Sequence, residues 1–335
     1  MGIRYGNRGF WLTISALVLS VVLLFFVSMC IGRYHIPIGD VFDYFTGSSI
    51  PETSSRVIEY LRIPRTLMAA LVGAALAISG AIYQSIFNNK LVSPDLLGVS
   101  TGAGVGACLG ILLELSALFI NVYAFVTGFI AVLLSVTIAK AFHNRSNVIL
   151  LLSGIAVGGL MSSLIGLMKY LADNEMKLAE MTFWLLGDLS QTSISDVYPM
   201  FMIIVVFGAI AILFAWKINI VSLGERESKT LGVNYRVTMA ILIISATALT
   251  AGAVSVSGTI GWIGLVIPNI VRLIAGSDNR AVLPISALTG ASFLIIVDML
   301  ARSLSPNEIP LSVITGIIGT PLFLYAIYKK RRDIR

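Results

Sequence analysis

Ten long apolar runs separated by short polar breaks dominate the chain. They fall near residues 10–31, 66–87, 96–115, 118–142, 148–171, 197–216, 237–256, 260–275, 282–300 and 311–328. Each is close to the roughly 20 residues that a helix needs to cross a bilayer, so the pattern predicts ten membrane-spanning helices. The apolar positions are continuous instead of alternating, which argues against a transmembrane β-barrel. The eighth run is short and carries Pro268. Such a break is tolerated where neighbouring helices or a cavity satisfy the freed backbone groups. The first run follows Arg4 and Arg8. It is longer than the roughly 7–15 apolar residues of a signal peptide and has no A-x-A-like cleavage site, so it is read as a span.

The polar breaks organise the rest. Residues 1–335 read as a single all-α polytopic membrane domain with two long loops on one side, 32–60 and 172–196. The second loop contains KLAEMTFWLLGDL, which predicts a short interfacial helix with Phe183 and Trp184 at headgroup level. Between spans six and seven lies the most polar island of the chain, KINIVSLGERESKTLGVNYR, residues 217–236. Gly224 and Glu225 suit a helix start there, with Glu225 and Glu227 near the positive end of the helix dipole. Leu223 and Leu231 are placed to pack on a partner. The island reads as a docking handle for a soluble protein.

Composition narrows the class. The chain is 57% apolar and 12% charged, against about 25% charged in ordinary soluble domains. With both termini in the cytoplasm, sixteen of the 23 Lys and Arg fall on the inner side, among them Arg4, Arg8, Lys90, Lys140, Arg145, Lys217, Arg226, Lys229, Arg236, Arg272, Arg280, Lys329, Lys330, Arg331, Arg332 and Arg335. The other seven are Arg33, Arg56, Arg62, Arg65, Lys169, Lys177 and Arg302. This bias follows the positive-inside rule. The net charge of +6 therefore reflects topology and anionic lipid, not nucleic acid.

Candidate chemistry is sparse. Cys30 and Cys108 lie in apolar runs and read as small buried hydrophobes. His35 and His143 are far apart in loops, with no metal-ligand spacing around them. No phosphate-binding G-x-x-x-x-G-K-[ST] loop, hydrolytic triad or H-E-x-x-H is present, so the chain does not read as an enzyme. Small residues recur every fourth position at Gly73, Ala77 and Ala81, at Gly102, Gly106 and Gly110, and at Gly154, Gly158, Ser162 and Gly166. That spacing lets helix backbones approach closely. In span five, Ser153, Ser162 and Ser163 leave a polar path open as a second reading. Asp298 and Arg302 stand i, i+4, either as a local ion pair or with Arg302 facing an outside partner. Arg62 and Arg65 share a helix face at the outer mouth of span two. They serve as snorkelling anchors or meet a partner's carboxylates.

Four stretches then converge on one family. LRIPRTLMAALVGAALAISGAIYQSIFNNKLVSPDLLGVSTGAGVG, SLGERESKTLGV, GTIGWIGLVIPNIVRLIAGSDNRAVLP and DMLARSLSPNEIPLSVITGIIGTPLF occur in this order. Together they resemble the FecCD-type (BtuC-like) permeases, the membrane subunits of bacterial ABC importers for iron–siderophores, haem and cobalamin. The resemblance covers nearly the whole chain from about Arg62 onward. It implies a type II ABC importer permease of ten helices in the bacterial inner membrane. It also implies a homodimer or a pair of related permeases, two ATPase subunits docked below and one extracytoplasmic substrate-binding protein above. The chain itself binds no cofactor, and ATP and magnesium belong to the partner ATPase.

Carried over position by position, Arg62, Arg65 and Arg302 match residues that dock the binding protein. Leu223, Gly224, Glu225, Arg226, Glu227, Lys229, Leu231 and Gly232 match the element that couples to the ATPase. Asn89, Leu91, Asn147 and Val148 match the cytoplasmic gate, and spans five and ten match the helices lining the central path. Two positions depart from the family pattern. Asn269 stands where His is common, and Lys90 stands where Pro is common. With few charges to line it, the path is expected to be largely apolar and to suit a bulky chelate, iron–siderophore first, with haem or cobalamin as alternatives. A secondary transporter is the competing class. Against it, no span holds a paired ion-coupling carboxylate at mid-depth.

Overall fold

The computed structural model describes residues 7–142, 147–305 and 307–332. Every regular element among them is helical. In chain order these are α1 (Asn7–Cys30), α2 (Ile38–Thr46), α3 (Glu52–Arg56), α4 (Ile63–Ile86), α5 (Val99–Leu112), α6 (Ala117–Ala141), α7 (Asn147–Tyr170) and α8 (Glu175–Leu186). They continue with α9 (Ile194–Ile203), α10 (Ala209–Leu213), α11 (Ala215–Val221), α12 (Glu225–Thr230), α13 (Tyr235–Ser257), α14 (Ile263–Ala275), α15 (Asn279–Ala301) and α16 (Leu311–Arg332). Eight helical segments are long and apolar enough to cross a membrane, and α5 and α14 are shorter apolar helices. All ten predicted runs are therefore helical.

The bundle is built on α4, α13 and α15. Gly73 of α4 faces Gly290 of α15 so closely that a Cβ on Gly73 would lie 2.2 Å from the Gly290 carbonyl oxygen. Only two glycines allow that backbone approach. The same close-packing logic joins α5 to α6. There a Cβ on Gly106 would sit 2.4 Å from the Tyr123 carbonyl, so the Gly102–Gly106 stripe is packing, as its spacing predicts. Polar groups in this core are paired across helices. The Ser79 hydroxyl reaches Thr250 at 2.6 Å, and the Tyr83 hydroxyl reaches Thr247 at 3.0 Å. Cys30 and Cys108 are free and buried.

Three boundaries differ from the sequence expectation. The loop expected at 32–60 holds α2 and α3, and the helix containing α4 runs unbroken from Glu52 to Ile86. Its charged first turns read as solvated loop, yet Glu52 and Arg56 pair i, i+4 at 2.5 Å on a helix surface. Within it, Val57–Arg62 widens to a π-helical turn. The cause lies just downstream, where Pro64 cannot donate to the preceding turn and its ring crowds the carbonyl of Tyr60. The eighth run begins helix only at Ile263. Residues 258–262 are non-helical, and Trp262 takes φ 72 at the helix start. The sixth run ends at Leu213, and the first residues of the polar island form α11 instead of loop. The interfacial helix expected within 172–196 is α8, with Phe183 exposed. Arg4, Arg145, Arg335 and His143 lie outside the described residues, as do the side chains of Lys330, Arg331 and Arg332.

Candidate functional site

Two polar regions occupy opposite ends of the bundle. At one end the island folds into a rigid corner. Ser228 is buried, and its hydroxyl donates to the carbonyls of Gly224 at 2.6 Å and Ile220 at 3.2 Å, which fastens α12 to α11. The C-terminus of α12 closes in a Schellman motif. Val233 N–H donates to Ser228 O at 2.9 Å, Gly232 N–H donates to Lys229 O at 3.2 Å, and Gly232 takes φ 74. Val233 is buried beneath the turn. What remains on the surface is Leu223, 59% exposed, Leu231, 57% exposed, and the charged run Glu225, Arg226, Glu227 and Lys229. Glu225 pairs with Arg236 at 3.6 Å. Beside them lies a hollow of ≈ 510 Å³ lined by Glu225, Lys229, Gly232, Val233, Asn234, Tyr235 and Arg236. The geometry is that of a stiff handle with two apolar contacts framing a mixed-charge turn.

The loop after α4 sits at the same end. Asn88 takes φ 46, a left-handed conformation that Asn tolerates. Asn89 turns the chain by accepting the Leu91 N–H on its side-chain oxygen at 2.9 Å. Leu91 is 61% exposed. The two departures from the family pattern meet here, because Asn269 Nδ2 donates to the Lys90 carbonyl at 2.8 Å. Val148 is exposed at the start of α7, and the Asn147 side chain lies outside the described residues. The turn Pro94–Leu97 links this loop to α7, where a Cβ on Gly154 would lie 2.2 Å from the Leu96 carbonyl.

The small-residue stripe of span five divides in two. Gly154 is packed and Gly158 lies against Thr101 and Gly98, but Gly166 and the neighbouring Gly159 face open space, and Ser162 and Ser163 are exposed beside them. On α16 the exposed positions include Ile317, Thr320 and Leu324. Large aliphatic and aromatic side chains cover the outer faces of α1 and α6, such as Trp11, Leu19, Phe119 and Leu133. The exposed face of α7 is mixed, with Gly159, Ser162, Ser163 and Gly166 set among Ile155, Leu160 and Leu167.

At the opposite end the structure brings Arg62, Arg65 and Arg302 together but buries all three, at 4%, 7% and 5% exposure. Each is turned onto acceptors supplied by this chain itself. Arg62 donates to the carbonyls of Met29 and Tyr34. Arg65 pairs with Asp298 at 2.7 Å and Glu308 at 2.9 Å. Arg302 donates to the Ser28 carbonyl at 2.9 Å and lies 3.3 Å from Asp298. The local Asp298–Arg302 pair is thus present, but without hydrogen-bond alignment, and Arg65 holds the better geometry. Hydropathy could not show this cluster, since its members come from α1 and the loop after it, the Val57–Arg62 turn, α4, α15 and the loop after α15. Glu308 had no sequence signal beyond being the acid nearest DMLAR.

An all-helical bundle with ten apolar helices, a stiff polar handle at one end and a close-packed glycine core defines a polytopic membrane permease of the type II ABC importer fold. A model of the FecCD transport family matches residues 19–329, and the chain belongs to that family. It is 35% identical over 320 residues to the molybdate import system permease protein MolB of Haemophilus influenzae, covering 94% of this chain and 95% of the relative. It is 38% identical over 288 residues to the cobalamin import system permease protein BtuC of Halobacterium salinarum, covering 85% and 76%. Among solved structures, an inward-facing metal-chelate type ABC transporter superposes with TM-score 0.85 at 34% identity, covering 94% of this chain and 98% of that one. The chain is an ABC importer permease, a transport subunit of the membrane.

Proposed function

We propose that this permease moves a bulky metal chelate, an iron–siderophore first, powered by ATP and magnesium held in two separate ATPase subunits. The observation that carries the coupling half of this reading is the handle. Leu223 and Leu231 stand exposed on either side of a turn locked by Ser228 and a Schellman cap, where a push on α12 cannot be absorbed locally. In this reading the chain pairs with a second permease and receives substrate from one extracytoplasmic binding protein. It lies in a bacterial inner membrane as one domain with both termini and the island in the cytoplasm. Movement of the handle tilts the packed helices and alternates access to a path lined by α7 and α16.

The substrate half rests on the open face of α7. Gly159, Ser162, Ser163 and Gly166 offer room and neutral hydroxyls but no charge, which suits a large neutralised chelate passing without tight binding. The likeness to a metal-chelate type ABC transporter supports the same class. Haem and cobalamin fit the same architecture, and molybdate is the cargo named for one relative. The test is uptake into proteoliposomes holding the complete transporter, with an iron–hydroxamate chelate, haem, cobalamin and molybdate supplied in turn. Iron chelate uptake that needs ATP supports the proposal. Uptake without ATP would move the chain to the secondary-transporter class.

A further inference from the structure

The island end contains a second polar feature that the handle and gate do not account for. Asn219 lies on α11, next to Ile220, whose carbonyl receives the Ser228 hydroxyl. Its side-chain oxygen accepts the Asn279 backbone N–H at 2.9 Å and Asn279 Nδ2 at 2.7 Å. Its amide nitrogen donates to Asp278 at 2.7 Å. The orientation of the Asn219 amide is fixed, because the Asn279 backbone N–H can only donate. Asp278 and Asn279 form the joint between α14 and α15, where Asp278 also caps α15 by accepting the Arg280 N–H at 3.0 Å.

The chain of bonds continues inward. The Asn279 side-chain oxygen accepts from Ser85 at 2.9 Å and from Arg272 at 3.1 Å. Arg272 also donates to Ser85 at 2.8 Å and to the Ala81 carbonyl at 3.1 Å, near the end of α4. Three residues earlier on α14, on the same face, Asn269 holds the Lys90 carbonyl. One short helix therefore grips both the α4–α15 junction and the loop after α4. Asn279 and Ser85 are buried, where unmade hydrogen bonds are costly, so these contacts shift as a set and not one by one.

We infer that Asn219 is a positioning residue that links the coupling handle to the 88–91 loop, through Asn279, Arg272 and Asn269. This inference rests on the coupling reading proposed above. It assigns α14 as the lever. Displacement of α12 drags α11 through Ser228, α11 carries the α14–α15 joint through Asn219, and α14 moves the loop through Asn269.

The test uses the complete transporter in proteoliposomes with a Leu91→Cys reporter, read by maleimide labelling with and without MgATP and vanadate. Cys30 and Cys108 are buried and give a low background. In the reporter alone, nucleotide should change the labelling rate about fivefold or more, the lower end of ordinary coupling. Absence of that response would overturn the coupling reading itself, and the linkage with it. Adding Asn219→Asp sets a carboxylate against Asp278. ATPase assembly and hydrolysis should persist while the labelling response is lost. Adding Asp278→Asn to that variant restores a donor facing the new carboxylate and keeps the α15 cap, so the response should return. Asn219→Ala, which adds no charge, should lose the response as well. An unchanged response in both single variants overturns the linkage while leaving the coupling reading intact. Loss of ATPase assembly together with the response also overturns it, because Asn219 would then only shape the handle.

Discussion

Arg65 Nε donates to Asp298 Oδ1 at 2.7 Å, joining α4 to α15 at the end of the bundle opposite the handle. Asp298 is 1% exposed and also faces Arg302, so one carboxylate stands between two buried guanidiniums. Removing one partner of such a pair leaves an uncompensated charge in a low-dielectric site and costs roughly 3–5 kcal/mol. Asp298→Ala should therefore lower the melting temperature in detergent more than Glu308→Ala does, since Glu308 is partly exposed whereas Asp298 is buried between two guanidiniums. A larger loss from Glu308→Ala would show that the centre of the cluster lies elsewhere.

The burial of these arginines changes what a charge reversal reports. In Arg62→Glu the carbonyls of Met29 and Tyr34 lose their donors, and a carboxylate is placed inside the fold. We expect loss of folded protein before any effect on a binding protein can be measured. Arg56→Glu is the contrasting case, because Arg56 is exposed and pairs with Glu52 on its own helix. It should leave stability within about 1 kcal/mol. The readout is thermal stability of the two variants in detergent, followed by affinity for the binding protein.

At the handle, Leu231 and Gly232 allow docking and folding to be tested separately. Leu231→Glu alters an exposed side chain, so it should leave the melting temperature unchanged and abolish co-purification with the ATPase subunits. Gly232→Ala forces a Cβ into a left-handed conformation at φ 74 and should cost about 1–2 kcal/mol locally. Co-purification that survives Leu231→Glu would remove Leu231 from the docking surface.

The sequence made the membrane class, the ten apolar helices and the position of the handle readable, because each depends on local composition. Arg62, Arg65 and Arg302 were readable as a set but not as a buried one. Their acceptors, Met29, Tyr34, Ser28 and Asp298, are scattered over three other segments, and no local pattern records such pairing. Residues 52–60 looked like loop because hydropathy cannot tell a charged helix surface from a solvated turn. Asn219 was hidden for a similar reason, since within KINIV it is one polar residue at the edge of a polar island. The α7 stripe was legible as small residues. Only the fold shows that Gly154 is covered by this chain and Gly166 is not.

That division gives a direct test of the path. A Cβ on Gly166 meets nothing within 4 Å, while one on Gly73 would meet the Gly290 carbonyl at 2.2 Å. Gly73→Ala should therefore destabilise the protein strongly, because the neighbour is backbone and cannot turn aside. Gly166→Leu should leave the isolated permease as stable as the parent and reduce uptake by the complete transporter. If Gly166→Leu lowers uptake only in proportion to the amount of folded protein, α7 does not line the path.

The contact between Asn269 and Lys90 ties α14 to the loop after α4. The Asn269 side chain donates both to Leu265 O of its own helix and to Lys90 O of the loop, each at 2.8 Å. Asn269→Ala removes the loop bond without adding bulk. One hydrogen bond of this kind is worth about 1 kcal/mol, so amide exchange across residues 88–92 should quicken roughly fivefold while α4 and α14 keep their protection. Asn269→Gln keeps the amide but lengthens the side chain by one methylene, and should recover only part of the protection. If exchange in the loop is unchanged in Asn269→Ala, the loop is ordered by the Asn89 turn and the burial of Val92 alone, and α14 has no grip on it.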